Sequence, residues 1–242
     1  MKEFAKDSYR VRWYGHGTGA KANPGCAAVV LCYDGEYAER VSKYLSPICT
    51  TLCVYAVSTA EEVGDDREEV PDEIDFSPFA APSLRREGDI AGGGRLFLED
   101  ITSTVLPQAE QFFGLSLSYR MLVGYSMAGL LALYGLYQSD YFQAAATVSG
   151  SLWLEGWSDF IREHSFKTRQ PDIYLSVGAK EKRTANPRMQ RVEEATRDTY
   201  QYYLYDDEVK SVVFELNPGG HGADDADRIR KAVKSLLSQH RE

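Results

Sequence analysis

The sequence lacks an apolar run of about 18 residues, so we expect no membrane-spanning helix. Its first ten residues, M-K-E-F-A-K-D-S-Y-R, carry charges where a secretory signal peptide needs an apolar core. Basic residues are scarce relative to acidic ones, and the net charge of −9 argues against nucleic acid as a partner. These absences predict a cytoplasmic protein with neither a membrane nor a nucleic-acid partner.

Recognisable cofactor motifs are also absent. The chain has no Walker loop, no dinucleotide-binding glycine fingerprint and no metal-ligand spacing, so we expect no cofactor and no metal. Its cysteines are few and lie among valines and leucines in strand-like segments, which predicts buried free thiols at Cys26, Cys32, Cys49 and Cys53. A disulfide between Cys49 and Cys53 is excluded because four residues of strand span about 13 Å, at ~3.3 Å per residue.

The chain does contain alternating strand-like and helix-like segments. A length of 242 residues with 43% hydrophobic residues suits one hydrophobic core, so we predict a single domain over residues 1–242. Residues 8–14 are predicted to form an early antiparallel strand, followed by a hairpin connection over 15–25. Further strands are predicted at 27–33, 50–57, 121–123, 144–148, 173–177 and 211–216, and helices at 37–45, 92–113, 128–137, 154–164, 187–205 and 223–239. This alternation indicates an α/β fold with a mostly parallel sheet.

One long segment, residues 59–91, departs from this pattern. It is mostly polar, with nine acidic residues between Glu61 and Asp75, and Pro71, Pro78 and Pro82 are predicted to prevent regular structure. Two interpretations stay open for the acidic residues. They form either a solvated surface or a loop that overhangs the functional site and repels anionic ligands.

Residues 119–129, Y-R-M-L-V-G-Y-S-M-A-G, place Ser126 between a short apolar strand and an apolar helix. Gly124 and Ala128, two residues before and after the serine, give the small-x-Ser-x-small pattern of a nucleophile elbow. Small neighbours are needed there because a bulky side chain would collide with the adjoining strand or helix. The alternative is an ordinary strand-glycine-serine-helix turn without chemistry.

An acid and a histidine follow later strands. Glu181 comes after the strand predicted at 173–177, and His221 lies in N-P-G-G-H-G after the strand at 211–216. Carboxyl ends of parallel strands meet at one edge of a sheet, and the order Ser126, Glu181, His221 is the order of the α/β-hydrolase triad. Basic residues flank Glu181 on both sides, so a surface charge cluster is the alternative for this residue.

Three other residues need an interpretation. His16 lies in G-H-G-T-G, which resembles a lipase oxyanion loop but precedes the strand that such a loop follows, so a glycine-rich hairpin is predicted instead. Tyr125, beside the nucleophile, and Trp153, after the strand at 144–148, are predicted to contact the substrate. Core packing is the alternative for Trp153.

These motifs together resemble the putative esterase family of α/β-hydrolases, which holds esterase D, the enterochelin-type siderophore esterases and the mycolyltransferases. The resemblance rests on V-L-C-Y-D-G at 30–35, D-F-S-P at 75–78, G-Y-S-M-A-G at 124–129 and G-G-H-G at 219–222. It implies an α/β-hydrolase fold with a mostly parallel central sheet flanked by helices. It also implies that the backbone N–H of Glu36 completes an oxyanion hole with that of Met127, the residue after the nucleophile. Some members of the family use a serine–histidine dyad, which leaves the role of Glu181 open.

The combined prediction is a serine carboxylesterase that cleaves an ester or lactone of a soluble small molecule through an acyl-enzyme. Ser126 would attack, His221 would move the proton and Glu181 would orient His221. Only about twenty residues separate Gly150 from the strand after Pro171, which predicts the absence of a cap domain. Two alternatives remain: an acyltransferase using the same acyl-enzyme, and a catalytically silent hydrolase-fold binding protein. Whether the chain forms a homo-oligomer is left open.

Overall fold

The computed structural model describes residues 1–15, 25–56, 76–82, 89–90 and 92–240. His16 and the acidic residues 61–75 lie outside the described residues, so both interpretations of the acidic residues stay predictions. Within the described ranges, no helix is long and apolar enough to cross a membrane.

Eight of the ten strands in the described residues form one central sheet. In chain order the ten strands are β1 Lys2–Lys6, β2 Tyr9–Tyr14, β3 Cys26–Leu31, β4 Thr50–Ala56, β5 Ala81–Pro82, β6 Asp89–Ile90, β7 Tyr119–Tyr125, β8 Ala144–Val148, β9 Asp172–Gly178 and β10 Ser211–Asn217. Their order in the sheet is β1-β2-β4-β3-β7-β8-β9-β10, and β5 and β6 pair separately. Antiparallel pairing in the large sheet is confined to β1–β2 and β2–β4, so the prediction of a mostly parallel sheet is confirmed.

Helices cover both faces of the sheet. They are α1 Gly35–Leu45, α2 Gly94–Asp100, α3 Leu106–Phe113, α4 Met127–Gln138, α5 Trp157–Glu163, α6 Pro187–Gln190, α7 Val192–Leu204 and α8 Asp225–Gln239. Because successive strand residues point to opposite faces, Val29 and Leu31 pack in the core beneath α4, whereas Ala28 and Val30 pack in a second core with α1 and α8. This two-sided burial explains why the central strands are apolar throughout.

Two strand predictions are wrong. The segment 15–25 was expected to be a hairpin connection, but β2 pairs with β1 and β4 and not with β3, so the hairpin is β1–β2, turning at Asp7. β1 escaped prediction because K-E-F-A-K is largely exposed at the sheet edge, where burial imposes little apolar pattern. Pro82 lies within the two-residue strand β5, so proline does not exclude sheet there.

The helix over 92–113 exists but is not uniform. A π-helical turn, Ile101–Val105, separates α2 from α3. Pro107, in the first turn of α3, has no N–H to continue the i→i−4 ladder, and the widened turn lies directly before it. The helix predicted over 187–205 is likewise interrupted at Arg191, and the one predicted from 154 begins at Trp157.

Two further expectations are confirmed. All four cysteines are buried and free. The connection between β8 and β9, which the structure describes throughout, contains only the seven-residue helix α5 and therefore no cap domain. This connection therefore inserts no domain over the carboxyl ends of β7, β9 and β10.

Candidate active site

Ser126 occupies a sharp turn between β7 and α4. Its backbone has φ 58° and ψ −122°, a conformation that non-glycine residues rarely adopt. A Cβ atom at Gly124 would lie 1.9 Å from the carbonyl oxygen of Ala128, so the turn requires glycine there. The Ser126 N–H donates to the carbonyl of Val148 at 3.0 Å, which ties the turn to the neighbouring strand. This elbow could be predicted from the sequence because the small residues that it requires, Gly124 and Ala128, lie within two residues of Ser126 in the chain.

His221 links Ser126 to Glu181 by two hydrogen bonds. Its Nε2 lies 3.1 Å from Ser126 Oγ, and its Nδ1 lies 2.8 Å from Glu181 Oε2. A carboxylate only accepts, so Nδ1 carries the proton donated to Glu181 and Nε2 can accept the Ser126 hydroxyl proton. The structure thus brings together the three residues that sequence order singled out.

Glu181 is buried beneath this relay, with 5% of its surface exposed. Its Oε1 accepts from Gly178 N at 2.6 Å, Ser149 Oγ at 2.7 Å and Arg228 Nη1 at 3.0 Å. Burial acts to raise the pKa of Glu181, but hydrogen bonds from His221, Ser149 and Gly178 outweigh it and lower the pKa below that of an ordinary glutamate. Glu181 therefore does not belong to a surface charge cluster. It is an ionised, fixed carboxylate.

Sequence reasoning missed Arg228, a residue of α8 that is 2% exposed. Nη1 donates to both Ser149 Oγ and Glu181 Oε1, and Nη2 donates to the carbonyls of Pro218 and Gly220, which precede His221. One guanidinium thus ties the acid to the histidine loop. The sequence gives one weak indication that Arg228 is buried. Residues four apart lie on the same face of a helix, and position 228 lies four and eight residues before the buried positions 232 and 236 of α8.

The two predicted substrate contacts both line a cavity at this edge of the sheet. Tyr125 also donates its hydroxyl to the carbonyl of His221, and its own carbonyl accepts from the Tyr33 hydroxyl at 2.7 Å. Trp153 is 8% exposed and packs in the core, with the Arg188 guanidinium 5.4 Å from its ring centre. Trp153 thus packs in the core and also lines the cavity. Contact with substrate stays a prediction for Tyr125 and for Trp153.

The predicted oxyanion donors lie in the first turns of two helices. Met127 is the first residue of α4 and lines the cavity, and Glu36 is the second residue of α1. Amides in a first helical turn have no acceptor within their own helix and can therefore bind an anion. Tyr33, in the loop before α1, lines the cavity, whereas Glu36 does not. The assignments of Met127 and Glu36 stay predictions.

The cavity measures about 650 Å³ and opens over Ser126. Its lining includes the apolar or aromatic side chains of Tyr33, Met127, Trp153, Met189 and Val192. The same lining also includes Ser126 and His221 together with the basic residues Lys180 and Arg183. Within the described part of the chain, no group of three or more His, Cys, Asp or Glu side chains is placed to hold a metal ion. The arrangement suits attack by a serine oxygen on a small substrate.

Comparisons with known proteins found similarity both in sequence and in fold. Residues 61–225, more than half of the chain, match the family described as "putative esterase", a range that contains Ser126, Glu181 and His221. The uncharacterised protein YbbA of Bacillus subtilis (strain 168) is 27% identical over 131 residues. That alignment covers 52% of this chain and 52% of YbbA, so the chain matches about half the length of this curated relative.

Solved structures share the fold at low identity. The siderophore hydrolase EstA from Aspergillus nidulans superimposes with a TM-score of 0.71 at 19% identity, covering 95% of this chain and 89% of EstA. An IroE-like serine hydrolase from Shewanella oneidensis superimposes with a TM-score of 0.70 at 16% identity, covering 95% and 75% of the two chains. At these identities the likeness shows a common α/β-hydrolase fold.

Proposed function

We propose that this chain, which belongs to the putative esterase family, is a carboxylesterase-type hydrolase that cleaves its substrate through an acyl-enzyme on Ser126. The single observation that carries the proposal is the hydrogen-bonded relay Ser126–His221–Glu181, whose three residues line the 650 Å³ cavity. The substrate class is a carboxylic ester or lactone of a small molecule.

The first half of the reaction forms the acyl-enzyme. Ser126 Oγ attacks the ester carbonyl while His221 Nε2 takes its proton, and the carbonyl π electrons become an oxyanion. That oxyanion would accept hydrogen bonds from the amides of Met127 and Glu36. When the tetrahedral intermediate collapses, the imidazolium returns the proton to the departing alkoxide, which leaves as an alcohol.

Water then completes the cycle. His221 removes a proton from a water molecule as its oxygen attacks the acyl carbonyl, and collapse returns Ser126 Oγ–H and frees the carboxylic acid. In both halves the Glu181 charge stabilises the imidazolium and fixes the tautomer of His221. An acyltransferase would differ only in admitting another alcohol to the acyl-enzyme. Competition between water and added alcohols for the acyl group separates the two reactions.

Replacing Ser126 by alanine tests the proposal. Ser126→Ala should lower kcat for ester hydrolysis by several orders of magnitude, roughly 10⁴-fold or more, because the acyl-enzyme cannot form. Ser151→Ala is the matched control: Ser151 also lines the cavity, but the imidazole of His221 is hydrogen-bonded to Ser126. This control should retain activity within about tenfold of wild type. More than a tenth of wild-type activity in Ser126→Ala, with folding verified by circular dichroism, would refute the assignment.

A further inference from the structure

Five basic side chains lie in the segment 180–191, next to the catalytic acid, and they differ in how they are paired. Lys182 binds Glu193 at 3.0 Å, Arg188 binds Glu155, and Arg191 lies 3.7 Å from Glu194. Lys180 and Arg183 have no carboxylate partner within the described residues. Lys180 and Arg183 are also the basic residues of the segment that line the cavity. As far as the described residues show, the cavity thus faces two cations that have no carboxylate partner.

The backbone holds Lys180 and Arg183 at the cavity in a fixed turn. The Lys180 N–H donates to the carbonyl of Gly219 at 2.9 Å, two residues before His221. The Arg183 N–H donates to the carbonyl of Lys180 at 3.0 Å, which closes the turn. Both side chains thus start from anchored positions beside the histidine loop, although their ends are exposed.

Glu181, the one carboxylate among the described lining residues, does not cancel this positive charge. Glu181 presents its oxygens to His221, Arg228, Ser149 and Gly178, and its side chain is only 2% exposed. The guanidinium of Arg228, which is equally buried, neutralises the charge of Glu181 through an ion pair of 3.0 Å. A bound group near Lys180 and Arg183 consequently experiences a positive field, which is stronger in a partly enclosed cavity than in open water.

We propose that Lys180 and Arg183 form an anion subsite, and that the substrate is an ester that carries a carboxylate-type anionic group beside an apolar or aromatic portion. The apolar portion packs on the apolar lining residues Trp153, Met189 and Val192. This inference rests on the proposed esterase function and adds the substrate class to it. Lys180 and Arg183 act here on substrate binding and take no part in proton transfer.

The test compares isosteric esters that differ in charge. On the alcohol side we would use 4-carboxyphenyl butyrate against 4-carbamoylphenyl butyrate. On the acyl side the pair is phenyl 4-carboxybenzoate against phenyl 4-carbamoylbenzoate. Each kcat/KM is divided by the rate of hydroxide-catalysed hydrolysis, which removes intrinsic reactivity. The same esters are titrated into Ser126→Ala to measure binding without turnover.

The wild type should favour the anionic ester of at least one pair by about fivefold, the effect of two exposed charge contacts, with the preference falling as salt is added. Lys180→Gln/Arg183→Gln should abolish the preference by raising KM for the anionic ester towards that of its neutral analogue. Lys182→Gln is the matched control, because it removes one positive charge from the same turn at a residue that pairs with Glu193 and does not line the cavity. It should keep the preference.

Three results would overturn the subsite: no anionic preference in either pair, an unchanged preference in the double variant, or an equal loss in Lys182→Gln. Turnover of the neutral esters reports separately on the proposed function. If the wild type hydrolyses none of the esters, the esterase proposal fails. The subsite is then judged by whether Ser126→Ala binds the anionic esters more tightly, and equal binding refutes it.

Discussion

At the scale of single residues, Glu181 decides whether the site works as a triad or a dyad. Glu181→Gln keeps the shape of the side chain but removes the charge that stabilises the imidazolium, and its amide can donate to Nδ1 and favour the wrong tautomer of His221. We expect kcat to fall well beyond tenfold with KM nearly unchanged, since the lost interaction belongs to the transition state. Steady-state kinetics on one ester measures both constants.

Glu193→Gln serves as the control for this change. Glu193 is a carboxylate paired with Lys182 and Arg197 and makes no contact with His221 among the described residues, so its amide variant should keep wild-type kcat. Near-normal kcat in Glu181→Gln would instead establish a serine–histidine dyad.

Arg228 is a positioning residue whose removal should affect both stability and turnover. Arg228→Met leaves the buried Glu181 charge without its counter-ion and frees the Pro218 and Gly220 carbonyls. Breaking such a pair costs about 3 kcal/mol in the free energy of unfolding. We also expect kcat to fall at least about tenfold with little change in KM, because His221 loses its orientation.

This prediction is checked at a temperature where the variant is folded. Urea unfolding gives the free energy, and kinetics on the folded protein gives kcat. Arg228→Lys restores the charge but cannot make all four hydrogen bonds, so it should recover part of the activity. If Arg228→Met lost stability while keeping kcat, Arg228 would be a purely structural residue.

At the scale of elements, the β7–α4 elbow is the most tightly constrained connection. Gly124→Ala should destabilise the fold severely, because its Cβ would lie 1.9 Å from the carbonyl oxygen of Ala128. The turn must open to accommodate it, moving Ser126 away from His221. Gly222→Ala is the matched control, since a Cβ there meets no atom within 4 Å. Thermal unfolding should show a large loss for Gly124→Ala and little change for Gly222→Ala; equal melting temperatures would contradict the steric account.

Elements in the sheet interior could be predicted from sequence, and those at its edge could not. β3, β7, β8 and β9 are buried on both faces, so their apolar runs are nearly continuous and their bounds were predicted to within about two residues. β1 lies at the edge, where water satisfies the exposed face and no such pattern is imposed. The π-helical turn before Pro107 escaped because it shifts the helical spacing only locally.

At the scale of the whole molecule, the sheet topology assembles the site. Ser126, Glu181 and His221 were predictable because each follows a parallel strand, and β7, β9 and β10 end at the same edge. The role of Arg228 was not predictable, because an arginine in an amphipathic helix is normally solvated and because its partners here lie on loops far away in the chain. The proposed anion subsite could not be predicted either. It depends on which basic residues of the segment 180–191 pair with carboxylates, and these pairs are visible only in the folded structure.

The most direct test of the central claim, an activated serine at position 126, is covalent labelling by a fluorophosphonate, read by intact-mass and peptide mass spectrometry. The wild type should gain one phosphonyl group, mapped to Ser126, because only a serine activated by a general base attacks phosphorus readily. Ser126→Ala should remain unlabelled, and His221→Ala should be labelled far more slowly. An unlabelled wild type, or a label on Ser151 that persists in Ser126→Ala, would contradict the account.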